Sequence, residues 1–324
     1  MLRVAICGAG NWGARLIESV QGASAKIRFT TAVTRDPAGK KPLAARFGLG
    51  LTTRYEEVLA DPAIDGVVLA TPHSAHGAEI AAAAKAGKHV FVEKPFTLTR
   101  ESAEEAVEAC RRAGVTLAVG FNRRYMPSYV DMKRRIAAGE VGRLRHLEAN
   151  FSGPASYQTE PGNWRSNRFE SPGGSMTARG CHLLDALVHL AGRATEVQAV
   201  SERLQHEIDV DDTTACLLRF TGGATGTLAT LHAATRFYRI HAFGSKGSLE
   251  LRGDTELEFA DLEGKAQRYA FAAIDKERAE LEAFADAAAS GLKFVVAPDE
   301  IINVVAGTEA VVRSAASGRA VTIG

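Results

Sequence analysis

Cysteine is scarce in these 324 residues: Cys7, Cys110, Cys181 and Cys216 are scattered, with no C-x-x-C pair. Four such residues exclude a disulfide frame and a zinc ribbon, and suit a reducing compartment. The nine histidines form no cluster along the chain, which argues against a catalytic metal. Charge of one sign is not in excess. Lys and Arg number 39 against 38 Asp and Glu, a net +1 without any basic block, so nucleic acid is not an expected partner. No apolar run approaches the length of roughly 20 residues that a membrane span needs. A strand pattern begins within two residues of Met1, leaving no room for a secretory n-region and h-region. A soluble, cytoplasmic protein without a membrane partner is expected. Internal repeats and low-complexity tails are also missing, although residues 81–84 are all alanine.

The composition, 46% hydrophobic and 24% charged, is that of an ordinary globular chain long enough for two cores. The first third alternates. Short β-branched runs at 3–7, 28–33, 66–70, 89–92 and 115–119 are separated by helical patterns at 14–21, 41–47, 55–60, 75–86 and 100–113. Such alternation predicts a doubly wound parallel sheet. After Phe121 the texture changes. A helix at 127–138 precedes a long strand at 143–151, a Gly/Pro/Ser/Asn-rich loop at 152–175 and a helix at 176–191. Strand-like runs follow at 195–204, 213–220, 224–232, 239–244 and 247–252, and helices at 275–290 and 298–317 close the chain. Strands in succession imply a mainly antiparallel sheet with helices on one face. The fold class is therefore α/β, with domains expected at 1–121 (dinucleotide binding) and 122–324 (substrate binding and oligomerisation).

Gly8-Ala9-Gly10-Asn11-Trp12-Gly13 matches G-x-G-x-x-G, follows the strand Val4-Ala5-Ile6-Cys7 and opens a helix. In that context Gly8 permits the tight turn, Gly10 the approach of a pyrophosphate, and Gly13 close helix packing. The helix N-terminus binds the phosphates. The second strand ends Thr34-Arg35-Asp36, with threonine where an NAD-preferring site usually carries an acid. A small hydroxyl and a guanidinium suit a 2′-phosphate, so NADP is expected, with NAD as the alternative; a surface Arg35 paired with Asp36 is the competing reading.

"VEKPF", 92–96, leaves a buried-looking strand through a glutamate and a lysine and ends on a proline. Pro95 disfavours the helical region for Lys94, and in an extended segment Glu93 and Lys94 point to opposite faces. Either this is a strand end with two solvated charges or the lysine has work to do. Four stretches taken in order decide: the glycine loop, Ala70-Thr71-Pro72-His73-Ser74-Ala75-His76, Glu93-Lys94-Pro95, and Gly120-Phe121-Asn122-Arg123-Arg124. With "YRIHAFGSKGSLEL" at 238–251, the chain resembles the glucose–fructose oxidoreductase / inositol dehydrogenase (Gfo/Idh/MocA) family over essentially its whole length. The resemblance implies a Rossmann domain followed by an α/β domain with an open, mainly antiparallel sheet.

By that resemblance Lys94 is the active-site lysine, hydrogen-bonding a carbinol oxygen at the carboxyl end of a parallel strand. Glu93, Thr71, Pro72 and His76 would line the cofactor cleft, with His76 alternatively a helix-start residue. Asn122 and Arg123 would form a wall beside the nicotinamide, or else an interdomain salt bridge. Family members commonly carry an aspartate four residues before a histidine; here the histidine is His182, the expected acid/base, and the aspartate position is Ala178. Thr177 or Asp185 would have to replace the missing carboxylate, unless Asp185 is structural. Arg179 is a candidate substrate residue. In the long loop Tyr157, Asn163, Trp164 and Arg165 either contact sugar and nicotinamide or pin the loop to the sheet.

The expected function is an NADP-preferring oxidoreductase acting on a sugar, polyol or related small molecule, without a metal, as a homodimer or homotetramer. Two rivals remain: an enzyme using bound NAD(P) for transient oxidation in elimination or glycoside cleavage, and a redox-inactive nucleotide sensor on the same fold.

Overall fold

A computed structural model describes residues 1–154, 162–205 and 207–324. The chain separates into two compact units. The first comprises Met1–Thr97, Glu101–Asn122 and Asp275–Pro298. The second comprises Leu98–Arg100, Arg123–Ile274 and Asp299–Gly324. The chain passes from the first unit to the second between Asn122 and Arg123. A single cut at 121 does not anticipate the return of Asp275–Pro298 to the first unit.

In the first unit the strands are β1 (Leu2–Cys7), β2 (Ile27–Val33), β3 (Gly50–Thr52), β4 (Gly66–Leu69), β5 (His89–Val92) and β6 (Leu117–Val119). Helices α1 (Asn11–Val20), α2 (Pro37–Phe47), α3 (Tyr55–Ala60), α4 (His76–Lys85) and α5 (Arg100–Ala113) alternate with them. All neighbouring strands run parallel, in the order β3-β2-β1-β4-β5-β6. That is the doubly wound order, whose direction of winding reverses between β1 and β4. Val4, Ala5, Ile6, Val67, Val68, Val90 and Phe91 are all fully buried, as strands covered on both faces must be. The short β3 was not expected, because Gly50-Leu51-Thr52 carries too little pattern to read as a strand. Asp36 starts α2 by accepting the Gly39 N–H at 2.9 Å, and Gly48, at φ 67°, ends it in the left-handed region.

The second unit holds α6 (Pro127–Ala137), β7 (Leu144–Ser152), α7 (Cys181–Ala191), β8 (Ala194–Glu202), β9 (Thr213–Phe220), β10 (Thr225–Leu231), β11 (Phe237–Gly244), β12 (Gly247–Arg252), β13 (Glu256–Asp261) and β14 (Ala266–Ala270). Helix α8 (Lys276–Ser290) follows within the first unit, then α9 (Pro298–Ser317) and β15 (Val321–Thr322). The sheet order is β14-β13-β12-β11-β7-β10-β9-β8-β15, antiparallel except where β10 lies parallel to β7. Strand β9 alternates buried and exposed residues, so the sheet has one covered and one open face. Strands β13 and β14 escape a reading by hydrophobic pattern: β14 reads Ala-Gln-Arg-Tyr-Ala and is almost wholly exposed. Among the described residues no helix is long and apolar enough to cross a membrane.

Candidate active site

The glycine loop is built as its spacing requires. Gly8 has φ 95°, and a Cβ there would lie 2.4 Å from the Ala70 carbonyl oxygen. A Cβ on Gly13 would meet the Gly8 oxygen at 2.1 Å, so strand and helix touch through bare backbone. At Gly10 a Cβ would meet nothing within 4 Å. Its value lies in leaving that space to a ligand. Gly10 is the N-cap of α1, no side chain caps it, and the first turn carries no acid. The amides at Asn11 and Trp12 therefore begin a ten-residue helix with positive potential facing outward. This cradle fits a dinucleotide pyrophosphate.

At the end of β2, Arg35 is exposed and forms no ion pair with Asp36, whose carboxylate is committed to Gly39 of α2. The Thr34 hydroxyl accepts the Asp36 N–H at 3.3 Å. Pairing with Asp36, the competing reading of Arg35, is not what the structure has.

After β4, Thr71 donates its hydroxyl to Glu79 at 2.5 Å, and Pro72 precedes a single 3-10 turn, His73–Ala75. His76 is fully buried at the start of α4. Its Nδ1 lies 3.0 Å from the Pro95 oxygen and 3.2 Å from the Phe96 oxygen, and its Nε2 lies 3.2 Å from the Thr71 oxygen. The imidazole thus braces the chain that follows Lys94 against the loop after β4.

Lys94 itself is half-buried, and its peptide bond to Pro95 is cis. Glu93 is buried and turns the other way. One of its oxygens accepts the Lys94 N–H at 3.3 Å, and a Cβ on Gly120 would lie 2.9 Å from Oε1. Burial raises the Glu93 carboxyl to about 7, against the pull of Trp12 and Lys94. Asn122 donates its amide to Glu277 at 2.8 Å, and Arg15 reaches the other Glu277 oxygen at 2.7 Å. Glu280, one turn further along α8, is fully buried, and both its oxygens lack a hydrogen-bond partner among the described residues. The sequence reading missed Glu277 and Glu280. Its signal was there: Glu280 shares the apolar stripe of Leu281 and Phe284 in α8, a face where an unpaired acid is out of place.

In the second unit Arg123 lies between two aromatic rings, 4.1 Å from the Phe151 centroid and 4.4 Å from that of Tyr238. It forms an ion pair with Asp254, 3.8 Å away in the same unit. A π-type turn, Met176–Gly180, precedes α7. Such insertions occur often at functional sites. His182 follows it, buried, with its ring centroid 6.2 Å from that of Phe151. Neither expected substitute for the aspartate missing at Ala178 is at liberty. Asp185 receives three hydrogen bonds from Arg124, and the Thr177 hydroxyl donates to the Pro172 carbonyl. Asp185 is a structural carboxylate. Arg179, expected at the substrate, donates to the carbonyls of Gly153, Leu231 and Pro154, at 2.6, 2.8 and 3.1 Å, and so acts as a strut between loop ends. Trp164 and Arg165 stack on each other, with the guanidinium 4.0 Å from the indole, while Asn163 accepts the Arg165 N–H. Tyr157 lies outside the described residues.

Residues 2–121 match the model of the oxidoreductase family with an NAD-binding Rossmann fold (GFO/IDH/MocA), and residues 129–250 match the GFO/IDH/MocA C-terminal domain. A scyllo-inositol 2-dehydrogenase (NAD(+)) of Bacillus subtilis is 32% identical over 266 residues, 76% of this chain and 73% of that protein. A D-xylose 1-dehydrogenase (NADP(+)) 2 of Haloferax volcanii is 28% identical over 306 residues, 90% of each chain. The match to YrbE, an uncharacterized oxidoreductase of Bacillus subtilis, is 33% identical over 61% of this chain but spans only 58% of that protein. Among solved structures, aldose-aldose oxidoreductase from Caulobacter crescentus, complexed with glycerol, superposes with a TM-score of 0.89 at 26% identity, covering 99% of both chains.

Proposed function

The chain belongs to the Gfo/Idh/MocA family of oxidoreductases, and from that premise we propose an NADP-preferring enzyme that moves hydride between nicotinamide and a carbinol or carbonyl carbon of a sugar, polyol or related small molecule. The observation that carries the reading is Lys94 at the carboxyl end of β5, in a parallel sheet whose ligands bind outside those ends. Nicotinamide supplies the hydride chemistry when bound. Gly8, Gly10 and Gly13 admit the pyrophosphate, and the α1 amides at Asn11 and Trp12 face it. Thr71, Pro72, Glu93 and Asn122 are the first unit's further candidates for coenzyme contact, and Arg123, Trp164 and Arg165 those of the second. Lys94 would donate a hydrogen bond to the reacting oxygen, favouring the charge that develops as hydride leaves. His182 would take up or return the hydroxyl proton, a task suited to imidazole near neutral pH.

Support for NADP is the exposed Arg35 beside Thr34, with the adjacent acid turned into α2. Relatives are named for either coenzyme, so position 35 is the local feature on which the preference rests. The open face of the second unit's sheet exposes Val200 and Leu217, which supports assembly as a homodimer or homotetramer. A second reading, a redox-inactive nucleotide sensor, draws on Ala178, since that position leaves His182 without the family's carboxylate. A panel of sugars and polyols, offered with NADP+ and NAD+ and followed by nicotinamide absorbance, tests the proposal. Substrate-dependent reduction supports the dehydrogenase. Tight coenzyme binding with no reduction across the panel favours the sensor.

A further inference from the structure

The buried ring of His76 has hydrogen-bond acceptors on both sides. Nδ1 lies 3.0 Å from the Pro95 oxygen and 3.2 Å from the Phe96 oxygen, while Nε2 lies 3.2 Å from the Thr71 oxygen. A backbone carbonyl accepts and cannot donate, and a neutral imidazole carries one N–H and one lone pair. In either tautomer a neutral ring therefore turns its lone pair toward a carbonyl oxygen. Only the imidazolium donates on both sides. Burial opposes that charge, whereas hydrogen bonds made by the charged form favour it, and such bonds are roughly twice as strong as neutral ones. Among the ionisable groups nearby, Glu79 lies three residues on along the same face of α4 and accepts the Thr71 hydroxyl at 2.5 Å. It favours a positive ring. The His73 ring centroid is 6.0 Å away, in the turn before α4. Tyr55 donates to the Glu79 carbonyl, and burial keeps Tyr55 and Cys7 protonated and neutral. Toward α5 the contact is uncharged, since a Cβ on Gly77 would lie 2.3 Å from the Ser102 hydroxyl. Just past β5, Glu93 and Lys94 supply one acid and one cation.

We propose that His76 is a positioning residue for Lys94, held as an imidazolium that joins the loop after β4 to the segment after β5. Two of the carbonyls it holds belong to Pro95 and Phe96, the residues that follow Lys94, so they fix the direction in which the lysine's backbone leaves the strand. The third belongs to Thr71, whose hydroxyl is itself fixed by Glu79. Strands β4 and β5 are neighbours in the sheet, and the ring spans the gap between their outgoing loops. A charged ring pins both loops through N–H groups. A neutral ring pins one and repels the other, and the segment carrying Lys94 loses an anchor. His76 exchanges no proton with substrate in this scheme; it acts through the lysine alone. The positioning role rests on the reading of Lys94 as the group that serves the reacting oxygen, whereas the charge on the ring does not.

Nitrogen NMR of the histidine-labelled chain without coenzyme reads the ring directly, with His76 assigned through its backbone resonances. At about pH 7.5, above the ordinary histidine value of about 6.5, both of its ring nitrogens should be protonated. An unprotonated ring nitrogen at His76 overturns the proposal whatever Lys94 does. Turnover reads the positioning. His76→Asn keeps a donor for one loop only and should lower kcat on the order of 10²-fold, the cost of misplacing a reacting group by about 1 Å. His76→Lys, a cation with several donors, should recover part of that loss and serves in its place if the asparagine variant does not fold. Lys94→Met and the double variant complete a cycle. Once the lysine is gone, the His76 substitution should change turnover less than about twofold, as expected of two residues that act as one unit. A loss as large as in the wild-type background overturns the positioning role. Wild-type turnover by Lys94→Met alone refutes the reading of the lysine and the positioning with it, while the spectrum still decides the charge on the ring.

Discussion

Arg124 holds Asp185 through three hydrogen bonds, of 2.6, 3.0 and 3.1 Å, with both side chains at most 2% exposed. The third nitrogen of the guanidinium, Nη1, reaches Glu300 at 2.8 Å. The pair explains why Asp185 cannot serve His182 although it lies three residues away on the same helix. Asp185→Asn removes the carboxylate charge opposite a buried guanidinium, a loss of about 3–5 kcal/mol for a broken buried pair. Thermal or urea denaturation should show that loss, whereas the pH optimum of the residual activity should not move. A variant as stable as the wild type would mean that its other contacts, Glu300 among them, compensate Arg124.

His182→Ala should slow turnover by roughly 10²–10⁴ and flatten the pH–rate profile near neutrality. Restoring the family pattern with Ala178→Asp adds a carboxylate near the imidazole, which favours its charged form and raises its pKa. The acidic limb of the profile should move upward. No movement would mean that positions 178 and 182 do not face one another across the π-type turn.

Coenzyme preference depends on Arg35. Its removal as Arg35→Ala should cost NADP affinity roughly tenfold to a hundredfold and leave NAD nearly untouched. Thr34→Asp should go further and reverse the preference, by repelling the phosphate and accepting from ribose hydroxyls. Dissociation constants at fixed ionic strength decide it, since an exposed contact is screened by salt. Equal or tighter binding of NAD by the unmodified chain refutes the NADP assignment.

Stability should fall with rising pH where the buried acids titrate. Burial raises Glu93 to about 7 and pushes Glu280 well above the ordinary value of 4.5. Between that value and the raised ones the native state binds more protons than the unfolded state, so stability present below about pH 4.5 is lost as pH climbs through about 7. Glu280→Gln should therefore melt close to the wild type at pH 5 and above it at pH 8. Identical melting temperatures at pH 8 would mean that Glu280 is not desolvated.

The Rossmann order was legible because buried parallel strands are β-branched runs and their helices carry a clear period. The glycine loop was legible because its three glycines answer three separate steric needs. What escaped has physical causes. Strand β14 has no apolar face to reveal it. Helix α8 reads as one more amphipathic helix, and nothing in chain order says that it returns to the first unit. Arg179 looked like a substrate residue, but its guanidinium is spent on three backbone carbonyls, an arrangement visible only once β7 and β10 are paired. Glu280 was legible in principle, as an acid on an apolar stripe.

The central claim is that Lys94 acts on the reacting oxygen, and one comparison tests it most directly. Turnover of Lys94→Met and of the wild-type enzyme is followed by nicotinamide absorbance on a substrate found in the panel, with coenzyme affinity titrated in the same buffer. Coenzyme binding and melting temperature should be unchanged while turnover falls by about 10²–10³, the loss of a charge-assisted hydrogen bond that strengthens in the transition state. Turnover near that of the wild type, with coenzyme bound, would contradict it.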